Sequence, residues 1–310
     1  MEKNSKIFVA GHRGLVGSAI VRKLKEEGYH NLVLRPKSEL DLRDQRAVKN
    51  FFSIEQPEYV FLAAAKVGGI NWNWTNPGEF IYDNLMIQSN VIDAAYRNGC
   101  KKLLFLGSAC IYPKVTPQPI KEEYLLTAPL EPTNEGYALA KIASIRLAYF
   151  YKRQYGLNII CPMCTNIYGT NDNYNPETSH VMSALIKKIS DAKHNNLKEV
   201  VLWGTGKPKR EFMHVKDVAR GLVFLMNNSN DFLINLGVGY DISIKSLSSY
   251  IVKKLNYNGK IVWDKTKPDG MPRKLLSIQK INKLGFVSKI DIKSGISKTI
   301  KEYKDFFINK

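Results

Sequence analysis

Lys6-Ile7-Phe8-Val9-Ala10-Gly11-His12-Arg13-Gly14-Leu15-Val16-Gly17 is the stretch that decides the fold. Its first part is a short apolar run, which predicts a buried strand, and a helix is expected from there to about Glu27, closed by Gly28. Gly11, Gly14 and Gly17 fall between the two elements. Without side chains at these positions, phosphate oxygens approach the backbone closely, and the helix N-terminus faces their charge. A glycine turn alone is a weak signal. Placed in a first strand–helix unit, it predicts a pyrophosphate-binding loop.

Outward from this unit, apolar strands alternate with helical stretches. Asn31–Leu34, Tyr59–Ala64, Leu103–Gly107 and Asn158–Pro162 read as strands, with helices expected over about Asp44–Phe52, Ile81–Asn98 and Tyr137–Tyr155. This alternation predicts an α/β fold, a Rossmann-like doubly wound parallel sheet, with a smaller C-terminal α/β substrate domain. Residues 1–170 are expected to form the dinucleotide-binding Rossmann domain, and 171–310 mainly the substrate-binding domain. Val200–Trp203 reads as a strand of the second part. Phe232–Leu236 has the character of a returning strand, so a segment around 212–240 is expected to rejoin the main sheet.

The 310 residues suffice for a full core. No apolar run approaches the roughly 18 residues of a membrane span, and the amino end leads straight into a strand without a secretory pattern. A cytoplasmic protein is expected. Cys100, Cys110, Cys161 and Cys164 are too few for a disulfide framework. Cys161-Pro162-Met163-Cys164 has the spacing of a metal-ligand pair, but no second pair or His cluster completes it, so no metal is expected. Lys and Arg outnumber Asp and Glu by 46 to 28, a net charge of +18. The cations are scattered, without a dense block or an RNA-binding motif. They suit a polyanionic small molecule better than a nucleic acid.

The next signals carry chemistry. Where an NAD enzyme would offer an acid to the ribose hydroxyls, this chain has Arg35 and Lys37, with Arg13 in the loop itself. Cations there suit a 2′-phosphate, so NADPH is expected over NADH; Asp41 is the nearby acid that speaks for NADH unless it faces the adenine instead. Tyr137 and Lys141, four residues apart, share a helix face. The ammonium is expected to hold the phenol below its free pKa of about 10 and make it a usable acid. Ser108 follows the fourth apolar strand, well placed to hold a carbonyl oxygen. Ser108, Tyr137 and Lys141 together describe hydride transfer to a ketone, with Tyr137 as proton donor.

The G-x-x-G-x-x-G loop resembles that of extended short-chain dehydrogenases. Within that group, Gly11-His12-Arg13-Gly14, Ala64–Ile70, Ser108-Ala109-Cys110-Ile111-Tyr112-Pro113 and Lys267-Pro268-Asp269-Gly270 resemble the GDP-L-fucose synthase family, over essentially the whole chain. The resemblance implies a bifunctional 3,5-epimerase and 4-reductase acting on GDP-4-keto-6-deoxy-D-mannose with NADPH, working as a homodimer. It also implies Cys110 and His180 as the epimerisation acid/base pair. The chemistry agrees: removing hydrogen from C3 or C5 puts enolate charge on the C4 oxygen, where Ser108 and Tyr137 would stabilise it. Asn166, Val181, Lys188, Trp203, Arg210 and Arg273 match the family's nucleotide-sugar pocket, with Arg210 facing the pyrophosphate because its planar fork suits paired phosphate oxygens. Lys141 would also reach the nicotinamide ribose. The chain departs from the family at Gly136 (commonly Pro), Ala109 (commonly Ser) and Cys164 (usually Pro). A 4-keto reductase acting on a related GDP-sugar, such as a heptose, is the alternative enzyme. A regulatory or nucleic-acid-binding protein on the same scaffold has no need of the Ser-Tyr-Lys set.

Overall fold

β1 (Ile7–Ala10) lies one strand in from the edge of a sheet whose strands are all parallel. On one side it pairs with β2 (Leu32–Val33); on the other with β3 (Tyr59–Leu62), Ile7 opposite Tyr59 and Ala10 opposite Leu62. β4 (Lys102–Phe105), β5 (Ile159–Cys164) and β6 (Leu233–Leu236) extend the order to β2-β1-β3-β4-β5-β6, and the short strand Gly107–Ser108 pairs with Met163–Cys164 at the end of β5. The computed structural model describes residues 1–267 and 269–307, so Pro268 of the Lys267–Gly270 stretch lies outside the described residues.

The strands are read correctly from apolar runs because every residue of β1, β3 and β4 is buried, as a sheet covered on both faces requires. The helices α1 (Leu15–Glu26), α2 (Gln45–Glu55), α3 (Pro77–Arg97), α4 (Glu135–Tyr155), α5 (Val181–His194), α6 (Val215–Asn228), α7 (Ile244–Leu255) and α8 (Ile292–Phe307) complete the main elements. One face of the sheet is covered by α2, α3 and α4 through Val48, Phe52, Val91, Ile92, Ala138 and Ile145. The other is covered by α1 and α6 through Ile20, Leu24, Val218 and Leu222. Each such large side chain, moved out of water, contributes roughly 1.5–3 kcal/mol. A third apolar cluster joins α5, α7 and α8 through Met182, Ile186, Leu247, Ile251, Ile296 and Ile300.

Local chemistry sets the element ends. Asp44 caps α2 by accepting from the Ala47 N–H at 3.0 Å, and Gly156, at φ +71°, closes α4. Lys102 is buried, and its ammonium donates to the carbonyls of Met226 (2.7 Å) and Ser229 (2.6 Å), satisfying the otherwise orphaned C-terminal end of α6. Lys102 is a polar residue at the start of an apolar run, so the expected strand from Leu103 begins one residue earlier. α3 also begins before its expected start, at Pro77, because proline suits the first turn of a helix.

The expected return of the chain near residue 232 is present: β6 pairs with β5, Leu233 opposite Cys161 and Leu236 opposite Cys164. Val200–Trp203 lies within the strand Glu199–Trp203, which pairs with Lys260–Asp264 and alternates exposed and buried residues. On β5, Cys161 packs on one face of the sheet and Cys164 on the other, so the two thiols point apart. No helix among the described residues is long and apolar enough to cross a membrane.

This order places a topological switch between β1 and β3. From β1 the chain leaves to β2 on one side and returns to β3 on the other, opening a crevice at their carboxyl ends.

Candidate active site

The crevice holds a cavity of about 950 Å³ lined by both loops that leave the switch point, Gly11–Gly17 and Ala63–Gly68. The glycines are required here sterically. Gly11 has φ +83°, and a Cβ on it would sit 2.8 Å from the Ala64 backbone; a Cβ on Gly17 would sit 2.1 Å from the Gly11 carbonyl oxygen. Gly14 is the N-cap of α1 and offers no side-chain cap, so the first amides of the helix remain available to an anion. His12 adds a buried Nδ1 without a hydrogen-bond partner among the described residues. A dinucleotide pyrophosphate fits this cradle.

Arg35 and Lys37 line the same cavity, as does Arg13. Arg35 is held at Glu55 (2.7 Å) and leans toward Glu39 (4.0 Å). Asp41 lines the cavity too, but its carboxylate is taken by Arg43, which donates to it at 2.6–3.2 Å and reaches Asp83 at 3.2 Å. The Arg43 guanidinium holds the Asp41 carboxyl down at about 2. Asp41 is therefore committed to an ion pair with Arg43, which neutralises a carboxylate that would otherwise compete with a phosphate for Arg13, Arg35 and Lys37 at this end of the cavity. Sequence reading missed Arg43 and Asp83, which are forty positions apart and meet only in the fold.

Deeper in, Ser108, Tyr137 and Lys141 come together with Asn166, His180 and Val181 on the cavity wall. Ser108 stands opposite Cys164 in register. Lys141 is buried on α4 and donates to the Leu106 carbonyl oxygen at 2.7 Å, with its ammonium 4.5 Å from the Phe105 ring. Burial brings its pKa down to about 8. The same burial acts on Tyr137 in the opposite sense and raises its phenol well above the ordinary value. The expected lowering by the ammonium is thus absent: Lys141 stands 5.8 Å from the ring centroid, and desolvation dominates. The phenol keeps its proton.

Cys110 is buried two residues beyond Ser108, and its backbone N–H points to the Ser108 hydroxyl at 3.4 Å. Burial pushes its thiol up, and the charges of Lys274 and Lys141 oppose this. His180 is the N-cap of α5. Its ring opens into the cavity while protein crowds around it, and that desolvation lowers its pKa. Both shifts favour a protonated thiol and a neutral imidazole.

The remaining expected residues lie outside the enclosed cavity. Lys188 and Lys267 place their ammonium groups 5.5 Å and 5.6 Å from the Trp203 ring, whose side chain is 49% exposed. Arg210, on the short strand Lys209–Arg210, approaches Gly270, whose Cβ position is 3.6 Å from its guanidinium. Arg273 turns outward and pairs with Asp241. Its neighbour Lys274 pairs in register with Arg210 and turns toward Cys110, Arg210 and Glu131. Sequence reading missed Lys274, although adjacent residues of a strand point to opposite faces. Asn166 is fixed by its Nδ2, which donates to the Glu211 carbonyl at 2.8 Å. The Glu211 carboxylate, also missed, accepts from the N–H groups of Val238, Gly239 and Leu276.

Gly136 has a physical reason: its Cβ position lies 2.7 Å from the Pro77 carbonyl, so glycine lets the start of α4 approach the start of α3. Among the described residues no group of three or more His, Cys, Asp and Glu side chains is placed to hold a metal ion.

A family model described as the NAD dependent epimerase/dehydratase family matches residues 7–237. A protein of Arabidopsis thaliana described as putative GDP-L-fucose synthase 2 is 55% identical to this chain over 311 residues, covering 100% of this chain and 95% of its own length. The GDP-L-fucose synthase of Escherichia coli (strain K12) is 48% identical, covering 95% of each. Among solved structures, a GDP-mannoheptose C4 reductase from Campylobacter jejuni with NADP bound superposes with a TM-score of 0.90 at 39% identity, covering 98% of this chain and 99% of that one.

Proposed function

The chain belongs to the NAD dependent epimerase/dehydratase family, and from that premise we propose that it converts GDP-4-keto-6-deoxy-D-mannose to GDP-L-fucose. It is an NADPH-dependent oxidoreductase with epimerase activity, a GDP-L-fucose synthase by its relatives. The observation that carries the reading is one cavity whose wall presents Ser108, Tyr137, Lys141 and His180 beside a glycine cradle, with the Cys110 thiol two residues from Ser108.

The backbone of Gly11, Gly14 and Gly17 would hold the pyrophosphate of NADPH, with Arg13, Arg35 and Lys37 on its 2′-phosphate and Lys141 on its nicotinamide ribose. When bound, NADPH supplies the hydride that reaches C4. Everything else is done by side chains. Ser108 and Tyr137 donate hydrogen bonds to the C4 oxygen. Cys110 and His180 exchange the C3 and C5 protons: one takes a proton, leaving the electron pair as an enolate on the C4 oxygen, and the other returns a proton to the opposite face. In the resting state the proton sits on sulfur and the imidazole is the ready base; moving that proton from Cys110 to His180, favoured by the charge of Lys274, makes the thiolate the base. In the reduction, Tyr137 gives its phenolic proton to the C4 oxygen. Its raised pKa suits this, because an acid must hold its proton until the oxygen becomes basic.

Arg210, with Asn166, Val181 and Arg273, would hold the GDP moiety, and Lys188 and Trp203 the base. Residues 1–170, with the returning segment 212–240, would serve NADP, and residues 171–310 mainly the sugar nucleotide. A homodimer is proposed through the packed pair α3 and α4, where Tyr82, Leu139 and Phe150 are exposed large apolar residues. A second copy would cover them, and light scattering would read the mass. The cytoplasm is the proposed location, since the four cysteines are buried thiols.

Likeness to the Campylobacter jejuni C4 reductase favours a second reading, 4-keto reduction of a heptose analogue. Incubation with NADPH and each GDP-4-keto sugar, followed by NMR of the product, separates them. GDP-L-fucose supports the first reading; turnover of the heptose alone supports the second.

A further inference from the structure

Between the strand Asn166–Tyr168 and α5 the chain runs from Gly169 to Ser179 and delivers His180, which lines the cavity, at its end. This segment packs Tyr174 against the apolar cluster of α5, α7 and α8 and is otherwise braced by side chains of its own sequence. Asn173 N–H donates to Asp172 Oδ1 at 2.8 Å, Asn173 Nδ2 to Thr178 Oγ1 at 2.8 Å, Asn175 N–H to Asn173 Oδ1 at 3.0 Å, and Glu177 N–H to Asn175 Oδ1 at 2.9 Å. A segment stiffened internally in this way moves as a unit, so its external anchors decide where His180 stands.

Thr170 Oγ1 donates to the Glu302 carboxylate at 2.9–3.0 Å and the Tyr174 ring lies 4.6 Å from that of Tyr303, which ties the segment to α8; two further anchors reach the loops of the dinucleotide cavity. At the far end, Gly69 N–H donates to the Thr178 carbonyl at 3.0 Å, and a Cβ on Gly69 would lie 2.6 Å from the Ser179 carbonyl oxygen. At the near end, Asn171 Nδ2 donates to the Arg13 carbonyl at 2.8 Å and approaches Ser18 Oγ at 3.3 Å. Asn171 sits at φ +71°, a conformation asparagine tolerates better than most residues. Its amide therefore grips the backbone of the glycine loop at the residue before Gly14.

We propose that Asn171 is a positioning residue that couples occupancy of the glycine loop to the placement of His180. The proposal deepens the reading of His180 as an acid/base group and rests on it for its catalytic consequence. An anion bound across Gly11–Gly17 fixes the Arg13 carbonyl, Asn171 carries that constraint into the segment, and His180 is held where the sugar ring must lie. Proton exchange at C3 and C5 then runs fastest with a dinucleotide in place, so the enolate forms when reductant is at hand. By linkage, whatever orders His180 also tightens the dinucleotide by the same factor.

The test uses amide hydrogen exchange of the intact protein with and without saturating NADPH, read over residues 172–184, together with NADPH affinity. In the wild type, NADPH slows exchange across this stretch by about 5-fold or more. In Asn171→Ala, and in Asn171→Gly, which accepts the positive φ without strain, that NADPH-dependent slowing is lost at saturation, and the NADPH Kd rises about 3- to 10-fold. A purely structural role would change basal exchange but leave the NADPH-dependent difference intact. Variants that keep the full difference, or a wild type that shows none, overturn the coupling. Deuterium entry at sugar C3 and C5 is scored separately: intact protection without any such exchange rejects the role of His180 and leaves the coupling standing.

Discussion

The two sides of the cleft are built from different materials. The dinucleotide side is mostly backbone: two glycines whose missing side chains make room, an uncapped helix end, and a lysine held on a main-chain carbonyl. The proposed nucleotide-sugar side is mostly side chain: Lys188 and Lys267 beside an exposed Trp203, Arg210 paired in register with Lys274, and Arg273 held by Asp241. A backbone surface is rigid and indifferent to which residues surround it. A side-chain surface is adjustable, and its specificity resides in a few long residues on separate strands and helices.

Perturbing the chemistry between the two sides should have the largest effect. Tyr137→Phe removes the proton donor and is expected to lower NADPH oxidation by about 10²–10⁴-fold, with deuterium exchange at C3 and C5 persisting. Stopped-flow absorbance and NMR read the two halves; equal loss in both would place Tyr137 in binding alone. Next is the backbone side. Gly17→Ala puts a methyl 2.1 Å from the Gly11 carbonyl oxygen, an overpacking cost of about 1–3 kcal/mol. NADPH affinity should fall by roughly 5- to 150-fold with sugar-nucleotide affinity kept, as titration calorimetry would show.

The side-chain surface should respond in a graded way. Arg210→Ala removes a charge-assisted contact of about 1.5–3 kcal/mol and should raise the sugar-nucleotide KM by about 10- to 150-fold, with Arg210→Lys in between. Trp203→Ala should cost about 2- to 10-fold, the size of one aromatic contact. If Trp203→Ala weakened binding more than Arg210→Ala, the nucleotide would be held by stacking and the division drawn above would need redrawing. The smallest effect is the alkaline limb of the pH profile. Lys141 carries its charge below about 8 and loses it as pH rises through that value, so NADPH-dependent turnover should decline modestly on that side, and Lys141→Arg should move the limb upward.

The same contrast explains what the sequence revealed. β1, β3 and β4 are buried on both faces, so their apolar runs announced a parallel sheet, and a glycine turn after the first strand announced the cradle. Tyr137 and Lys141 were visible because helix periodicity alone places them together. Cys110, His180 and the proposed GDP contacts were named only through family resemblance, since no local spacing links residue 110 to residue 180. Lys274, Asn171, Glu211 and the Arg43–Asp83 pair escaped because each gains its meaning from a partner brought near by the fold. The expected phenol pKa failed for a related reason. Spacing placed the lysine, but burial, which spacing does not report, controls the proton.

The most direct measurement follows deuterium in the sugar while NADP⁺ replaces NADPH, in heavy water, for the wild type and Cys110→Ala. Shared use of one oxygen-binding site by both chemistries predicts label at C3 and C5 in the wild type, loss of it in Cys110→Ala, and C4 reduction surviving in that variant when NADPH is restored. Reduction by the wild type that leaves both carbons unlabelled would contradict the account.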